Sequence, residues 1–181
     1  MAVYHRFSAL LAAKAAREQR PITIKGVVCR EIGRSVSTAT LFRWERKDHA
    51  AYYDRRVIQT LCAYFQCLPH HLLTLDHNQV SIAPDLPTQF PGDNPKAQVY
   101  VRFPDLLSKK AAQENRKRIS FADVTRSTGI SRAILYRYDN YIVDRYTVDA
   151  LKRLCEYFGI GLDVLFAYDV PPPLFPLSSS E

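Results

Sequence analysis

Two stretches of the sequence share one order of apolar and polar positions. From Ile130 to Tyr138, helical spacing turns Ile130, Tyr138 and either Ile134 or Leu135 to one side. The other side of this stretch carries Ser131, Arg132, Ala133, Tyr136 and Arg137. The stretch from Val36 to Trp44 repeats the order, and its outward positions are Ser37, Thr38, Ala39, Phe42 and Arg43. The pattern predicts two helices, each with a buried stripe and an exposed face.

The two stretches belong to a longer internal repeat. Matching residues recur at one separation of 96 positions, as Arg6-Phe7 with Arg102-Phe103 and Lys14-Ala15-Ala16 with Lys110-Ala111-Ala112. Such self-similarity marks a duplicated unit. We therefore expect an all-α protein of two five-helix domains, at residues 1–76 and 99–169.

Local signals predict where the helices of each unit begin and which faces are buried. Ser120 can cap a helix, with Asp123 at the reciprocal capping-box position. In the first copy Thr23 is the cap, but Gly26 stands where the acid should be, so its second helix should be the weaker one. The next helix of each copy has an apolar face, formed by Ile58, Leu61, Cys62 and Phe65 and by Leu151, Leu154, Cys155 and Phe158.

Proline marks the segments outside the two units. Residues 77–98 contain Pro84, Pro87, Pro91 and Pro95, a composition that breaks helices and predicts a linker. Residues 170–181 contain Pro171, Pro172, Pro173 and Pro176, followed by Ser178-Ser179-Ser180-Glu181, which predicts a disordered tail.

Charge and composition narrow the class of partner. A net charge of +7 makes nucleic acid the first anionic partner to consider, although ordinary surface charge explains it equally well. No apolar run approaches the roughly 20 residues that span a bilayer, and the start lacks the apolar core of a signal peptide. We expect a cytoplasmic, nucleoid-associated protein with no membrane partner.

The sequence gives little support for a metal site or for a catalytic function. Zinc ligands could be imagined from Cys62, Cys67, His70, His71 and His77. However, Cys62 aligns with Cys155 on an inward helix face, where a free cysteine acts as a small hydrophobe, and the second copy has no matching histidines. The sequence also lacks GxxxxGK[ST], GxSxG and HExxH motifs. We expect no metal, no cofactor and no enzymatic activity.

The residues from Ser120 to Phe166 resemble the lambda-repressor-like, Cro-type helix-turn-helix (XRE) family. The likeness is carried by a capped helix, a glycine turn, a short polar-faced helix and a following apolar helix, at Ser120, Val124, Gly129, Ile130, Ser131, Leu135, Tyr138-Asp139, Leu151, Leu154, Phe158 and Leu165-Phe166. The first copy matches more loosely, through Thr23, Val27, Val36, Ser37, Leu41 and Trp44-Glu45 and the residues after them. It departs at the turn, since Val27 and Ser37 are ten positions apart whereas Val124 and Ser131 are seven apart.

The resemblance implies sequence-specific binding of double-stranded DNA, with the third helix of each unit in the major groove. Ser131, Arg132 and Ala133 would read bases from the helix start, where Arg132 could bond a guanine in bidentate fashion. Tyr136 and Phe42 suit contact with a thymine methyl or a sugar, and Arg137 and Arg43 suit phosphate contact. Ser37, Thr38 and Ala39 would read bases in the first unit with weaker discrimination, because they are small and uncharged.

The sequence is also compatible with functions other than specific DNA binding. The altered turn and the small residues of the first unit also suit a protein-interaction module, such as an antitoxin or adaptor with one unit as a docking surface. Non-specific DNA packaging is a weaker alternative. Candidate partners are thus double-stranded DNA, a second copy of the chain as a homodimer, and another protein. The half-sites could form a direct or an inverted repeat.

Overall fold

The computed structural model describes residues 3–32, 35–47, 49–79, 94 and 96–171, and these residues are mostly helical. The helices are α1 (Phe7–Glu18), α2 (Cys29–Ile32), α3 (Thr38–Arg46), α4 (Arg55–Phe65), α5 (Pro69–Leu72), α6 (Phe103–Gln113), α7 (Phe121–Thr128), α8 (Arg132–Asp139), α9 (Val148–Phe158) and α10 (Leu162–Leu165). The strands are β1 (Tyr4–His5), β2 (Tyr52–Asp54), β3 (Leu73–Thr74), β4 (Gln98–Val101), β5 (Arg145–Thr147) and β6 (Phe166–Asp169). They form three antiparallel pairs, β1 with β3, β2 with β5 and β4 with β6.

The expected all-α class is therefore only partly right. The strand β4 contains Val99, Tyr100 and Val101, residue types that favour extended backbone, and Val101 pairs with Phe166 of β6. Gln98, the first residue of β4, lies in the segment predicted to be a linker. Each strand is short and its partner is far away in the chain, so hydrophobic periodicity within one segment could not reveal the pairing.

The two halves of the chain make the same contacts. In each half a buried tyrosine of β2 or β5 donates a hydrogen bond to a carbonyl just before the first helix, and the start of that helix bonds to the end of the last one. The four bonds are Tyr53 Oη to the Val3 carbonyl (2.9 Å), Tyr146 Oη to the Val99 carbonyl (3.2 Å), Arg6 N to the Leu72 carbonyl (2.8 Å) and Arg102 N to the Leu165 carbonyl (2.9 Å). The sequence repeat is thus a repeat of tertiary contacts.

The sheet of β2 and β5 joins the two halves about a local two-fold axis. Its middle pair is Tyr53 opposite Tyr146, which are equivalent positions of the repeat. Antiparallel pairing of equivalent strands about an equivalent residue requires an axis perpendicular to the sheet. Two flanking bonds obey the same symmetry: Arg55 N donates to the Asp144 carbonyl (2.7 Å), and Val148 N donates to the Ala51 carbonyl (3.1 Å).

One continuous hydrophobic core runs through both halves. All four apolar residues of the inward face of α4 are buried, and of the four equivalent residues of α9 three are buried and Phe158 is half-buried. Trp44 and Tyr138 are buried at 5% and 2% exposure, which confirms their interpretation as core residues. In addition, α5 contacts α10 and β6 across the two halves. The halves therefore pack as one body.

The second helix of the first half differs from its counterpart α7. It begins as a π-helical segment, Ile24–Val28, in which Val28 N donates to the Thr23 carbonyl (3.2 Å), and continues as the four-residue α2. A π-turn takes an additional residue into a helix, which accounts for part of the longer spacing in this copy. Residues 33 and 34, which follow α2, lie outside the described residues.

Much of the predicted linker and tail cannot be compared with the structure. Residues 80–93 and 95 of the linker and 172–181 of the tail lie outside the described residues. Of the remainder, His77–Gln79 form a 3-10 turn, Ala97 is buried, and Gln98 opens β4. The domain boundaries stay predictions.

Candidate nucleic-acid interface

The two helices on either side of the turn at Gly129, α7 and α8, are each capped at their start by a serine. Ser120 and Asp123 form the predicted capping box at the start of α7. Gly129 follows the last residue of the helix, and its φ of 71° lies in the left-handed region that favours glycine. After the turn, Ser131 caps α8 by accepting a hydrogen bond from Ile134 N (3.4 Å). The geometry is that of a capped helix, a glycine turn and a second capped helix.

An arginine from another helix holds this turn closed, and sequence reasoning missed it. Arg153 of α9 donates from Nη1 to the carbonyl of Thr128, the last residue of α7, at 2.7 Å. A Cβ atom built on Gly129 would lie only 2.5 Å from the same Nη1. The contact spans 25 positions of the chain, and α9 gives no sequence signal that singles out Arg153. From the sequence, Arg153 could only be interpreted as an ordinary charged surface residue.

The outward face of α8 presents every residue predicted for it. Leu135 and Tyr138 are buried and anchor the helix. Ser131, Arg132, Ala133, Tyr136 and Arg137 are exposed, Tyr136 with 58% of its surface. Of the two inward candidates only Leu135 is buried, because Ile134 lies 40% exposed. Ile134 therefore joins the exposed face, next to the start of the helix.

Burial also sets the electrostatics at the end of α8. It raises the pKa of the Tyr138 phenol well above its ordinary value, so this side chain stays a neutral core residue. It also raises the pKa of the Asp139 carboxyl, the last residue of the helix. Arg137 in the same turn is held by the Asp144 carboxylate (Nη2 to Oδ2, 3.7 Å) and by the Ile142 carbonyl (3.4 Å). The guanidinium group of Arg137 thus lies at the end of α8 and away from its start.

In the first half, α3 presents the corresponding face with a smaller set of side chains. Ser37 caps the helix by accepting a hydrogen bond from Thr40 N (3.1 Å). Thr38, Ala39 and Arg43 are exposed as predicted, whereas Phe42 is half-buried and packs against the core. Leu41 and Trp44 anchor the helix as Leu135 and Tyr138 anchor α8. The predicted residues are brought onto one face, but Phe42 is less available for contact than Tyr136.

The cysteines and histidines named for zinc do not assemble into a metal cluster within the described ranges, where no group of three or more His, Cys, Asp or Glu side chains could hold an ion. Cys62 and Cys67 are both buried, and burial raises the pKa of the Cys62 thiol, with neighbouring Cys67 adding to the shift. A thiol with a raised pKa is a poor metal ligand. The side chain of His77 lies outside what the structure describes.

Comparison with known proteins identifies the α7–α8 region. A family model described as a Cro/C1-type helix-turn-helix DNA-binding domain matches residues 115–170, which include α7, α8, α9 and α10. Residues 115–170 therefore form one Cro/C1-type helix-turn-helix domain, and this domain indicates a DNA-binding regulator that acts on double-stranded DNA. No curated protein and no solved structure gives a significant match to the chain. Within the described residues, no helix is long and apolar enough to cross a membrane.

Proposed function

We propose that the chain is a sequence-specific regulator of transcription that reads double-stranded DNA mainly through α8. The observation that carries the proposal is the exposed start of α8, with Ser131, Arg132 and Ala133 in a helix anchored by Leu135 and Tyr138, inside the matched domain. Exposed side chains at the start of a recognition helix reach base edges in the major groove. The proposal assigns the chain no catalytic activity and no cofactor.

Each exposed residue of α8 has a role that fits its position. Arg132 is a bidentate donor at the first turn and suits the N7 and O6 acceptors of guanine. Tyr136 lies one turn on, where its ring can contact a thymine methyl or a sugar. Arg137 lies at the end of the helix, held by Asp144, and suits a backbone phosphate. Specificity is therefore concentrated on Arg132.

We also propose that α3 is a second recognition helix, with Ser37, Thr38 and Ala39 at its start and Phe42 and Arg43 on the same face. The repeated hydrogen bonds of the two halves support this proposal, and the two-fold axis at Tyr53 and Tyr146 gives it an orientation. Two-fold related recognition helices read inverted half-sites. We expect an operator whose halves are inverted and unlike, since α3 and α8 present different side chains.

Selection of random duplex DNA by the whole chain tests both parts. The wild type should enrich two inverted half-sites, one altered by Arg132→Ala and the other by Thr38→Ala. Arg132→Ala should cost about 1–3 kcal/mol of binding and relax base preference at one position. Lys109→Ala, which removes an exposed charge from α6, is the control and should leave the enriched sequence unchanged. Undiminished specific binding by Arg132→Ala would rule out the assignment.

A protein-interaction module is the second candidate function. It is favoured by exposed apolar side chains on and after α8, namely Ile134 (40%), Tyr136 (58%) and Ile142 (49%). Scattered exposed apolar residues are common, but a group beside a helix-turn-helix face can dock a protein. Salt separates the candidates, because phosphate-driven binding weakens steeply as salt rises whereas an apolar interface does not. Failure to enrich any duplex at low salt would favour this function.

A further inference from the structure

The two-fold axis relates two places beside the β2–β5 sheet, and at one of them an arginine side chain bonds to a carboxylate. Beside α8, Arg55 donates from Nη1 to the Tyr141 carbonyl (3.1 Å) and from Nη2 to the Asp144 carboxylate (3.2 Å). Arg137 reaches the second oxygen of that carboxylate at 3.7 Å. Two guanidinium groups thus share the charge of Asp144, and the side chain of Arg55 lies between the Tyr141 carbonyl and Asp144.

The equivalent place beside α3 has neither the carboxylate nor the arginine that bonds to it. The symmetric backbone bonds make Ala51 the counterpart of Asp144 and Val148 the counterpart of Arg55. Arg43 is the counterpart of Arg137, since Leu41 and Leu135 anchor the two helices at the same position. Within the described part of the chain, Arg43 therefore has a guanidinium group in the matching place but no carboxylate opposite it.

The space left by these replacements is a cleft of about 960 Å³ between the two halves. Its volume lies in the range of small-molecule sites. Trp44, Val57 and Val148 supply apolar surface to its lining. Four cations also line it: Arg43, Lys47, Arg145 and Lys152. Lys152 pairs with the Glu156 carboxylate at 3.8 Å, and Arg145 lies over the Tyr52 ring at 4.3 Å. The cleft therefore combines an apolar wall with positive charge that comes mainly from Arg43 and Lys47.

Among the described residues, two carboxylates also line the cleft, and both already have partners. Asp54 caps α4 and accepts hydrogen bonds from Arg56 N (2.9 Å) and Val57 N (3.4 Å). Asp149 pairs with Nε of Arg153 at 2.8 Å. Neither carboxylate is at the position equivalent to Asp144, which is taken by Ala51. An anion from outside the chain would complete the arrangement.

We propose that this cleft binds a small carboxylic acid with an apolar body. The carboxylate of the ligand takes the position equivalent to that of Asp144 beside α8, and it bonds to Arg43. The apolar body packs on Trp44 and Val148, in the position equivalent to that of the Arg55 side chain. Because Arg43 and Trp44 belong to α3, the bound acid competes for the guanidinium group assigned above to a phosphate. This regulatory consequence rests on the proposed function, whereas the binding itself does not.

Fluorescence of Trp44 tests the binding without DNA, because Trp44 is the single tryptophan of the chain. Octanoate serves as the probe, with acetate lacking the apolar body and 1-octanol lacking the charge. Octanoate should change the emission in a saturable way, and the other two should bind about tenfold more weakly or worse, as expected for the loss of a charged hydrogen bond or of the apolar contact. Equal binding of octanoate and 1-octanol would overturn the proposal.

Substitutions on the cleft sharpen the test. Ala51→Asp supplies the missing carboxylate at an exposed position and should weaken octanoate binding by about tenfold or more, as should Arg43→Gln. The matched controls are Ala12→Asp on α1 and Arg46→Gln on α3, both exposed and outside the cleft lining, and they should bind as the wild type does. Circular dichroism verifies that each variant is folded. Unchanged octanoate binding by folded Ala51→Asp would overturn the proposal.

Discussion

The two halves of the molecule share a scaffold but differ where function would lie. Both place a buried tyrosine of the joining sheet against the carbonyl before their first helix, and both anchor the third helix by two buried residues. The second half has a regular α7, a glycine turn and an arginine at the start of its exposed helix. The first half has a π-helical segment, small residues at the start of α3 and an open cleft. Duplication has kept the contacts of the core and changed the surface.

The largest effect is expected when an equivalent core leucine is removed from each half. Leu41 and Leu135 are both fully buried, so Leu41→Ala and Leu135→Ala should each lower the free energy of unfolding by about 3 kcal/mol. Because one core runs through both halves, each variant should shift a single cooperative transition in urea, measured by circular dichroism. The half-buried Leu107→Ala is the control and should lose less.

Two separate transitions, with each leucine variant moving only one of them, would contradict the shared core. That result would mean that the halves fold independently and that the β2–β5 sheet only docks them. The inverted arrangement of α3 and α8 would then lose its structural basis. The core test therefore bears on the operator geometry as well as on stability.

A smaller effect is expected at the C-terminal ends of the equivalent helices α4 and α9, which are followed by different residues. The residue after α9 is Gly159 at φ 66°, whereas the residue after α4 is Gln66 at φ 54°. A residue with a Cβ atom is strained in the left-handed region, so Gln66→Gly should raise the free energy of unfolding by about 1 kcal/mol. Gly159→Ala should lower it by a similar amount, since a Cβ there meets no other atom within 4 Å and only the backbone strain acts. A loss of stability in Gln66→Gly would contradict this account.

How far the sequence predicts the structure depends on whether a signal is local. The capping box at Ser120 and Asp123, the glycine turn at Gly129 and the buried stripe of α8 all lie within a few turns of one helix, and periodicity predicts them. The three strand pairs, the bond from Arg153 to Thr128 and the cleft beside Arg43 join residues far apart in the chain. No pattern within one segment specifies which distant segment meets it. Periodicity also left Ile134 and Leu135 as alternatives for the inward position, and packing decides for Leu135.

The smallest expected effect is a loss of stability at low pH. It arises at the capping box of the second half, and the first half has no equivalent carboxylate. Asp123 accepts hydrogen bonds from Ser120 Oγ (2.9 Å) and Arg116 Nη2 (2.8 Å), and these hold the pKa of its carboxyl below the ordinary value. Gly26 stands at the corresponding position of the first half. With a folded-state pKa below the unfolded one, the stabilising contribution of Asp123 is complete above the unfolded value of about 3.9 and is lost as pH falls through the folded value.

Urea unfolding at a series of pH values measures this contribution. Asp123→Asn should be less stable than the wild type near neutral pH, and the difference should shrink on acidification below about pH 4, since protonation removes the same ionised acceptor from the wild type. The control is Asp105→Asn, which removes an exposed carboxylate from the first turn of α6, outside the capping box. It should leave the acid dependence of the wild type in place. If Asp123→Asn also keeps that dependence in full, the capping box is not the source of acid sensitivity, and the two halves differ less at this helix start than their sequences indicate.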